Sequence, residues 1–328
     1  MSADGGVYLR SYLAPLAPWL ERDDVTDVLV NQPGEVWIER QGAGLERIEA
    51  PEITPTMLQR LSQQIAAASH QGVSREYPLL AATLPDGARV QVVAPPATRA
   101  HHALAIRKHV VSDMSLDDYA KSGAFTATRR GKSGANEADA RLKQLLESGD
   151  ISDFLRLAVR SGKNIVISGG TATGKTTFLN ALLKEAPPED RIIVIEDTPE
   201  VRVSQSNALG LVAVKSELGE ARIGVDELLQ AALRMRPDRL LVGEIRGPEG
   251  FTFLRAVNTG HAGSMTTVHA DSPQGALDQI AFMALQAGVN LTRSDVIEYA
   301  RGVIDVIVHL SRDHGRRVVS EIAFSPRR

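Results

Sequence analysis

Apolar positions in the second half of the chain fall into short unbroken runs separated by stretches of helical spacing. The runs Ile165–Ser168, Arg191–Glu196, Leu240–Val242, Ser264–Val268 and Val303–Leu310 read as strands buried on both faces. Between them, Asp226–Arg236 is an amphipathic helix stopped by Pro237. Ser272-Pro273 opens another helix, which carries Leu277, Ile280 and Leu285 to Gly288. Strands alternating with helices from Ile151 onward predict an α/β domain over residues 151–328, its mostly parallel sheet covered by helices.

The first half is patterned differently. Residues 7–20 place Tyr8, Leu9, Tyr12, Leu13, Leu16, Trp19 and Leu20 at helix-like spacing, but Pro15 and Pro18 argue against one continuous helix. The apolar face has two readings, packing on its own domain or touching a membrane surface. Short strands follow at Val28–Val30 and Glu35–Arg40. Thr54-Pro55 starts a helix with Leu58, Leu61, Ile65 and Ala68 on one face, ended by Gly72. Strands at Leu79–Leu84, Ala88–Val93 and Ala103–Lys108 complete an α+β domain over residues 1–111, with a turn at Pro85-Asp86-Gly87.

Residues 112–150 read as a linker, rich in Gly, Ser, Lys, Arg and Ala around Gly123–Asn136, with a helix at Ala138–Leu146. Gly131-Lys132-Ser133 imitates the end of a phosphate loop, but Thr126 stands where the first glycine belongs and no apolar strand precedes it. Arg129, Arg130 and Lys132 read as a solvated loop.

Composition narrows the class. A chain of 328 residues exceeds the usual single core. With 37 Lys and Arg against 40 Asp and Glu, it has no overall basic footprint for wrapping nucleic acid. The absence of cysteine excludes disulfides, thiolate metal sites and cysteine nucleophiles. No apolar run approaches the roughly 18 residues of a membrane span, and no signal-peptide core opens the chain, so a soluble protein is expected.

The chemistry centres on Asn164–Leu183. Gly169, Gly174, Lys175 and Thr176 fit the phosphate-loop pattern G-x-x-x-x-G-K-T between a strand and a helix. Gly169, Gly170, Thr171, Ala172, Thr173 and Gly174 form a turn whose N–H groups can surround an anion. Lys175 can reach the β and γ phosphates, Thr176 can ligate Mg²⁺, and Thr177 continues the helix start. Two downstream strands end in acids. Glu196 and Asp197 follow the first, to hold metal-bound water, to position the attacking water, or only to cap the next turn. Glu244 follows the second, as base for that water and partner to the metal. His261 and His269 bracket a further strand, each a phosphate sensor or a satisfied polar residue.

In this order, Gly169–Thr176, Glu196-Asp197-Thr198-Pro199-Glu200, Leu233-Arg234-Met235-Arg236-Pro237-Asp238 leading to Gly243-Glu244-Ile245-Arg246-Gly247, and the His261–His269 box resemble the secretion ATPase superfamily. Those are the hexameric ATPases of type IV secretion, type II secretion and type IV pilus machines. The likeness is strongest to the traffic ATPases of type IV secretion and covers nearly the whole chain. In the first domain, Leu84–Gln91 with Pro95-Pro96, and Ala105-Ile106-Arg107-Lys108, resemble that family's segments.

The resemblance implies a RecA-like C-terminal ATPase domain, ATP and Mg²⁺ as cofactors, and a homo-hexamer with nucleotide between the two domains. It also implies that Arg89 and Arg107 reach the nucleotide's phosphates, and that Arg236 is a further nucleotide-binding arginine, with a helix-end cap as its rival role. The implied partners are inner-membrane and other ATPase components of a secretion machine. The implied location is the cytoplasmic face of the inner membrane, with room for peripheral membrane contact and nucleic acid only as cargo. The lack of a tetracysteine zinc module sets the chain apart from many type II secretion and pilus-extension relatives. A pilus-retraction ATPase, or a nucleotide-gated scaffold with little turnover, remains an alternative.

Overall fold

The computed structural model describes residues 3–109, 115–126, 137–214 and 221–325. The first unit opens with α1 (Ala3–Leu13), a single 3-10 turn at Ala14–Leu16, and α2 (Ala17–Leu20). The helical run is broken into these pieces because Pro15 and Pro18, which lack the backbone donor, each occupy the first turn of a new piece. Then come β1 (Val25–Val30), β2 (Gly34–Arg40), β3 (Leu45–Ala50), α3 (Pro55–Ala68), β4 (Leu79–Thr83), β5 (Arg89–Val93) and β6 (Ala103–Arg107). Thr54 caps α3 by accepting the Met57 N–H, with Pro55 in the first turn.

The strands form an antiparallel sheet in the order β3-β2-β1-β6-β5-β4, and both of its faces are covered. Val28, Val30, Val36, Ile38, Leu104 and Ile106 pack with Leu9, Leu16, Trp19, Leu58 and Leu61 beneath α1 and α3. Their neighbours Leu29, Trp37, Val93, Ala103 and Ala105 point the other way, into the core of the second unit. The two-residue side-chain period thus divides one sheet between two cores. From the apolar face of residues 7–20, Leu9, Leu16 and Trp19 are buried against the protein's own first domain with Tyr12, Leu13 and Leu20 packed beside them, while Tyr8 is exposed.

The second unit comprises α4 (Leu116–Lys121), α5 (Glu137–Ser148), α6 (Ile151–Arg160), β7 (Ile165–Gly169), α7 (Lys175–Leu183), β8 (Ile192–Glu196), β9 (Ala208–Val212), α8 (Val225–Ala232), β10 (Arg239–Ile245), α9 (Glu249–Asn258), β11 (Met265–Val268), α10 (Pro273–Gln286), α11 (Arg293–Val303), β12 (Val306–Asp313) and β13 (Arg316–Phe324). Its seven-stranded sheet runs β13-β12-β7-β11-β10-β8-β9, parallel throughout except for β13. Ile165, Ile167, Ile192, Val194 and Leu241 face α5, α6 and α7, whereas Val166, Ile193, Ile195, Leu240 and Val242 face α8 to α11. This double burial is what the unbroken apolar runs encode.

Several expectations shift. The run Val303–Leu310 is the end of α11 followed by β12, which extends to Asp313. The helix expected to reach Arg236 ends at Ala232; Arg236 itself has φ +59°, and Pro237 behind it disfavours helical geometry. Strands β3, β9 and β13 and helices α9 and α11 were not foreseen. Within the expected linker, α5 buries Leu142 and Leu145 in the core beneath the second sheet, and its Asp139 pairs with Lys163 ahead of β7. The imitation loop at 131–133, with Arg129 and Arg130, lies outside the described residues. Among the described residues, no helix is long and apolar enough to cross a membrane.

Polar contacts also join the two units. Arg191, fully buried at the head of β8, donates from Nη1 to Asn31 Oδ1 at 2.8 Å and Asn207 Oδ1 at 2.6 Å, and from Nε to Met235 O at 2.9 Å. Asn31 Nδ2 donates to Asn207 Oδ1 at 2.9 Å. Burial pushes the Arg191 guanidinium down to about 9; Arg236 reinforces the shift, while Asp238 and Asp27 oppose it. Nearer the rim, Arg236 Nε donates to Glu39 Oε2 at 2.6 Å, and that bond raises the Arg236 guanidinium above its ordinary value.

Because Asn207 Oδ1 serves two buried donors, Asn207→Ala should destabilise the protein by about 1–3 kcal/mol. The exposed Arg22–Asp24 pair is the contrast: Arg22→Ala should leave the denaturation curve close to the parent's. Urea denaturation of both variants measures this, and an Asn207→Ala curve overlying the parent's would refute it.

Candidate active site

Parallel register brings the chemistry to one edge of the second sheet. Ser168 of β7 pairs with Val268 of β11, Thr266 of β11 with Val242 of β10, and Val242 with Ile195 of β8. The residues that follow at the carboxyl ends are therefore neighbours: the loop after Gly169, His269, Glu244, and Glu196 with Asp197. They line one cleft of about 560 Å³ with Thr171–Thr177, Thr198, Glu200, Gly243, Arg246, Thr267 and Arg317. Thr266 and Thr267 fix the end of β10 by donating from their hydroxyls to Val242 O and Gly243 O, each at 2.8 Å.

The loop's glycines are required sterically. A Cβ on Gly169 would stand 2.6 Å from Thr173 Oγ1 and 2.7 Å from Leu310 O, so no side chain fits where the strand turns. Gly174, at φ +94°, holds the left-handed conformation from which α7 starts at Lys175. Lys175 Nζ donates to Gly169 O at 2.9 Å and Gly170 O at 3.2 Å and stands 3.6 Å from Glu244 Oε1. A lysine held by its own loop and one carboxylate is a cation stationed at the mouth of an amide-lined anion site.

The acids divide into two roles. Glu196, 4 % exposed, accepts the N–H groups of Glu200 at 2.9 Å and Val201 at 2.7 Å on Oε1, and Arg99 Nη2 at 2.5 Å on Oε2. With both oxygens engaged, it fastens the following loop, the turn-capping role among those the sequence left open, and the first domain. Glu244 faces Lys175 on one side; on the other, its Oε2 accepts Arg246 Nε at 2.5 Å. Arg246 Nη1 reaches Asp197 Oδ2 at 3.3 Å.

No group of three or more His, Asp or Glu forms a ready-made cation site among the described residues. The Thr176 hydroxyl with the carboxylates of Glu244 and Asp197 suits a small divalent ion that arrives on phosphate oxygens and keeps several waters.

Four expected residues lie elsewhere. His261 precedes β11 and so sits at the opposite edge of the sheet, its Nδ1 2.9 Å from Pro237 O. Arg236 is spent on Glu39 and Asp238, a bridge between the domains rather than a phosphate contact or a helix cap. Arg89 and Arg107 line a separate cavity of about 570 Å³ with Arg234, and Arg107 Nε donates to Asp27 Oδ1 at 2.9 Å. Conversely, Arg99, Arg246 and Arg317 reach the site or its acids unforeseen. Arg246 stood inside the Gly243–Gly247 segment, but nothing local marks Arg99 or Arg317.

A parallel sheet with a phosphate loop at one strand end and a carboxylate facing the loop lysine defines the phosphate-loop nucleotide hydrolases. The sequence pattern of the family described as Type II/IV secretion system protein matches residues 11–314, and the chain belongs to that family. It is 35% identical to the type IV secretion system protein VirB11 of Bartonella henselae, over 96% of this chain and 92% of that one. It is 39% identical to the type IV secretion system protein PtlH of Bordetella pertussis, over 94% of this chain and 93% of the relative. The crystal structure of the VirB11 ATPase from the Brucella suis type IV secretion system, in complex with sulphate, superposes with a TM-score of 0.91 at 35% identity. That match covers 97% of this chain and 98% of the other.

His261 offers a pH test of the fold at the edge of the sheet opposite the site. Burial lowers its pKa, only partly offset by the bond to Pro237 O, in which neutral Nδ1–H donates. Its contribution is complete above the ordinary histidine value of about 6.5 and is lost as pH falls through the lower folded value, where the unfolded chain binds the extra proton. His102 is lowered by burial in the same direction. The thermal midpoint should fall between about pH 7 and 5, and His261→Asn should lessen that fall. An unchanged pH slope in the variant would remove His261 from the account.

Proposed function

We propose that the protein hydrolyses ATP to power a type IV secretion system, with Glu244 as the base for the attacking water. The observation that carries this reading is the 3.6 Å approach of Lys175 Nζ to Glu244 Oε1 across a cleft walled by the phosphate loop. Lysine and loop amides neutralise the phosphates, and the carboxylate stands on the side where the terminal phosphate would lie. Arg246 holds Glu244 in place. Mg²⁺, held through Thr176 with Glu244 and Asp197 through water, would supply charge neutralisation on the phosphate oxygens. Lys175→Ala should abolish turnover and weaken ATP binding. Glu244→Gln should bind ATP like the parent while turnover falls at least about 100-fold. Parental phosphate release from Glu244→Gln would overturn its role as the base.

Arg89 and Arg107 open onto a cavity apart from the chain's own phosphate loop. That separation supports a homo-hexameric ring in which the first domain of one subunit serves the nucleotide of the next. The ring would work at the cytoplasmic face of the inner membrane, against the membrane and ATPase components of the secretion machine. Mixing Lys175→Ala with Arg89→Ala subunits under exchanging conditions should restore activity, because some interfaces then pair an intact loop with an intact arginine. No recovery despite demonstrated exchange would reject the shared site.

A further inference from the structure

The hairpin of β12 and β13 stands beside the phosphate loop and carries two arginines toward it. Leu310 of β12 pairs with Gly169 of β7, so the strand continues past the point where β7 turns into the loop. Arg312, two residues on, donates from Nη2 at 2.9 Å and Nε at 3.3 Å to the carbonyl of Ala172, the loop residue at φ +59°. Arg317 of β13 lies against Gly174: a Cβ built there would be 3.0 Å from Arg317 Cδ and 3.5 Å from its Nε and Nη1. Arg317 also lines the cleft.

Register makes this pair unusual. Arg312 and Arg317 are directly opposed partners across the hairpin, so their side chains share a face. Like charges placed opposite each other cost stability, and among the described residues neither arginine has a carboxylate partner. Arg312 is occupied as a brace for the loop apex. Arg317 stands with its guanidinium beside Gly174, where the loop passes into α7, and an anion bound there would relieve the repulsion.

The sheet order says which part of the nucleotide that anion is. Glu244 ends β10, which lies beyond β11 on one side of β7; β12 and β13 lie on the other side. The terminal phosphate must face Glu244, so the hairpin faces the opposite end of the phosphate chain. We propose that Arg317 is a nucleotide-binding residue that contacts the α-phosphate, with Arg312 a positioning residue that holds the loop in shape for it. This deepens the ATPase reading and rests on it. A contact to the α-phosphate is made equally by ATP and ADP, so it sets affinity and does not discriminate between substrate and product.

Calorimetric titration of the full chain with ADP and with a non-hydrolysable ATP analogue tests this, alongside KM and kcat for ATP. Arg317→Gln should weaken both ligands by a similar factor, about tenfold for one charge-assisted bond, and raise KM correspondingly. Arg317→Lys, which keeps the charge, should recover part of that loss; it also serves as the readout if Arg317→Gln melts below the parent. Unchanged affinity for both ligands would overturn the proposal. So would weaker binding of the ATP analogue alone, or a loss confined to kcat, since either places Arg317 at the terminal phosphate. A parent protein that binds neither ligand would instead sink the ATPase reading, which keeps the two failures distinct.

Discussion

The parallel pairing of β7, β11, β10 and β8 is the constraint on which the site depends. Each strand is short, and each ends within a residue or two of the same level. Groups well separated in sequence, such as Gly169, Glu244 and His269, therefore meet without any local signal joining them. Strands buried on both faces hold that level because slipping by one residue would exchange the side chains committed to two different helical layers. The loop lysine and Glu244 are held at their separation by the sheet, not by each other.

The first domain enters this arrangement through contacts of different character. Its sheet gives one face, with the small residues Ala103 and Ala105, to the core beneath α8 to α11. At the buried end, Asn207 Oδ1 accepts from both Asn31 Nδ2 and Arg191 Nη1, and Asn31 Oδ1 accepts from the same arginine nitrogen. At the cleft end, Arg99 reaches Glu196, a side chain that two backbone N–H groups already hold. Glu196 thus ties the position of the first domain to the loop that walls the nucleotide cleft. An acid at a strand end can serve as an anchor as readily as a base, and the count of its donors decides which.

Much of the second domain was legible because double burial leaves a mark in composition: Ile165–Ser168, Arg191–Glu196 and Leu240–Val242 could hardly be anything but interior strands. The phosphate loop was legible because its steric demands at Gly169 and Gly174 admit few residues. What escaped notice had weaker local marks. Strand β13, with Arg316, Arg317 and a largely exposed face, resembles a surface loop in pattern and acquires its identity only by pairing with β12. Arg99 touches Glu196 across 97 positions, and no spacing rule reaches that far. Arg236 and His261 sit in segments that resemble nucleotide-site motifs, yet their side chains are claimed by Glu39 and by Pro237 O. A motif fixes where a backbone segment lies more firmly than where its side chains point.

The charge of the whole chain, −3, says nothing about its capacity to take a polyanion, because the field that matters is local. Around the cleft the charges are ordered by strand position. Arg312 and Arg317 stand beyond β7 on one flank, Lys175 sits at the loop in the middle, and Glu244 with Asp197 and Arg246 occupies the other flank. A nucleotide laid across that order would meet cations along its phosphates and a carboxylate only at its far end, where water must be activated. Reversing the order would set a carboxylate against the bound phosphates and leave the attacking water among cations, which stabilise hydroxide but cannot accept its proton. The order is set by the sheet, since it follows directly from β12 lying beside β7 on one side and β10 beyond β11 on the other.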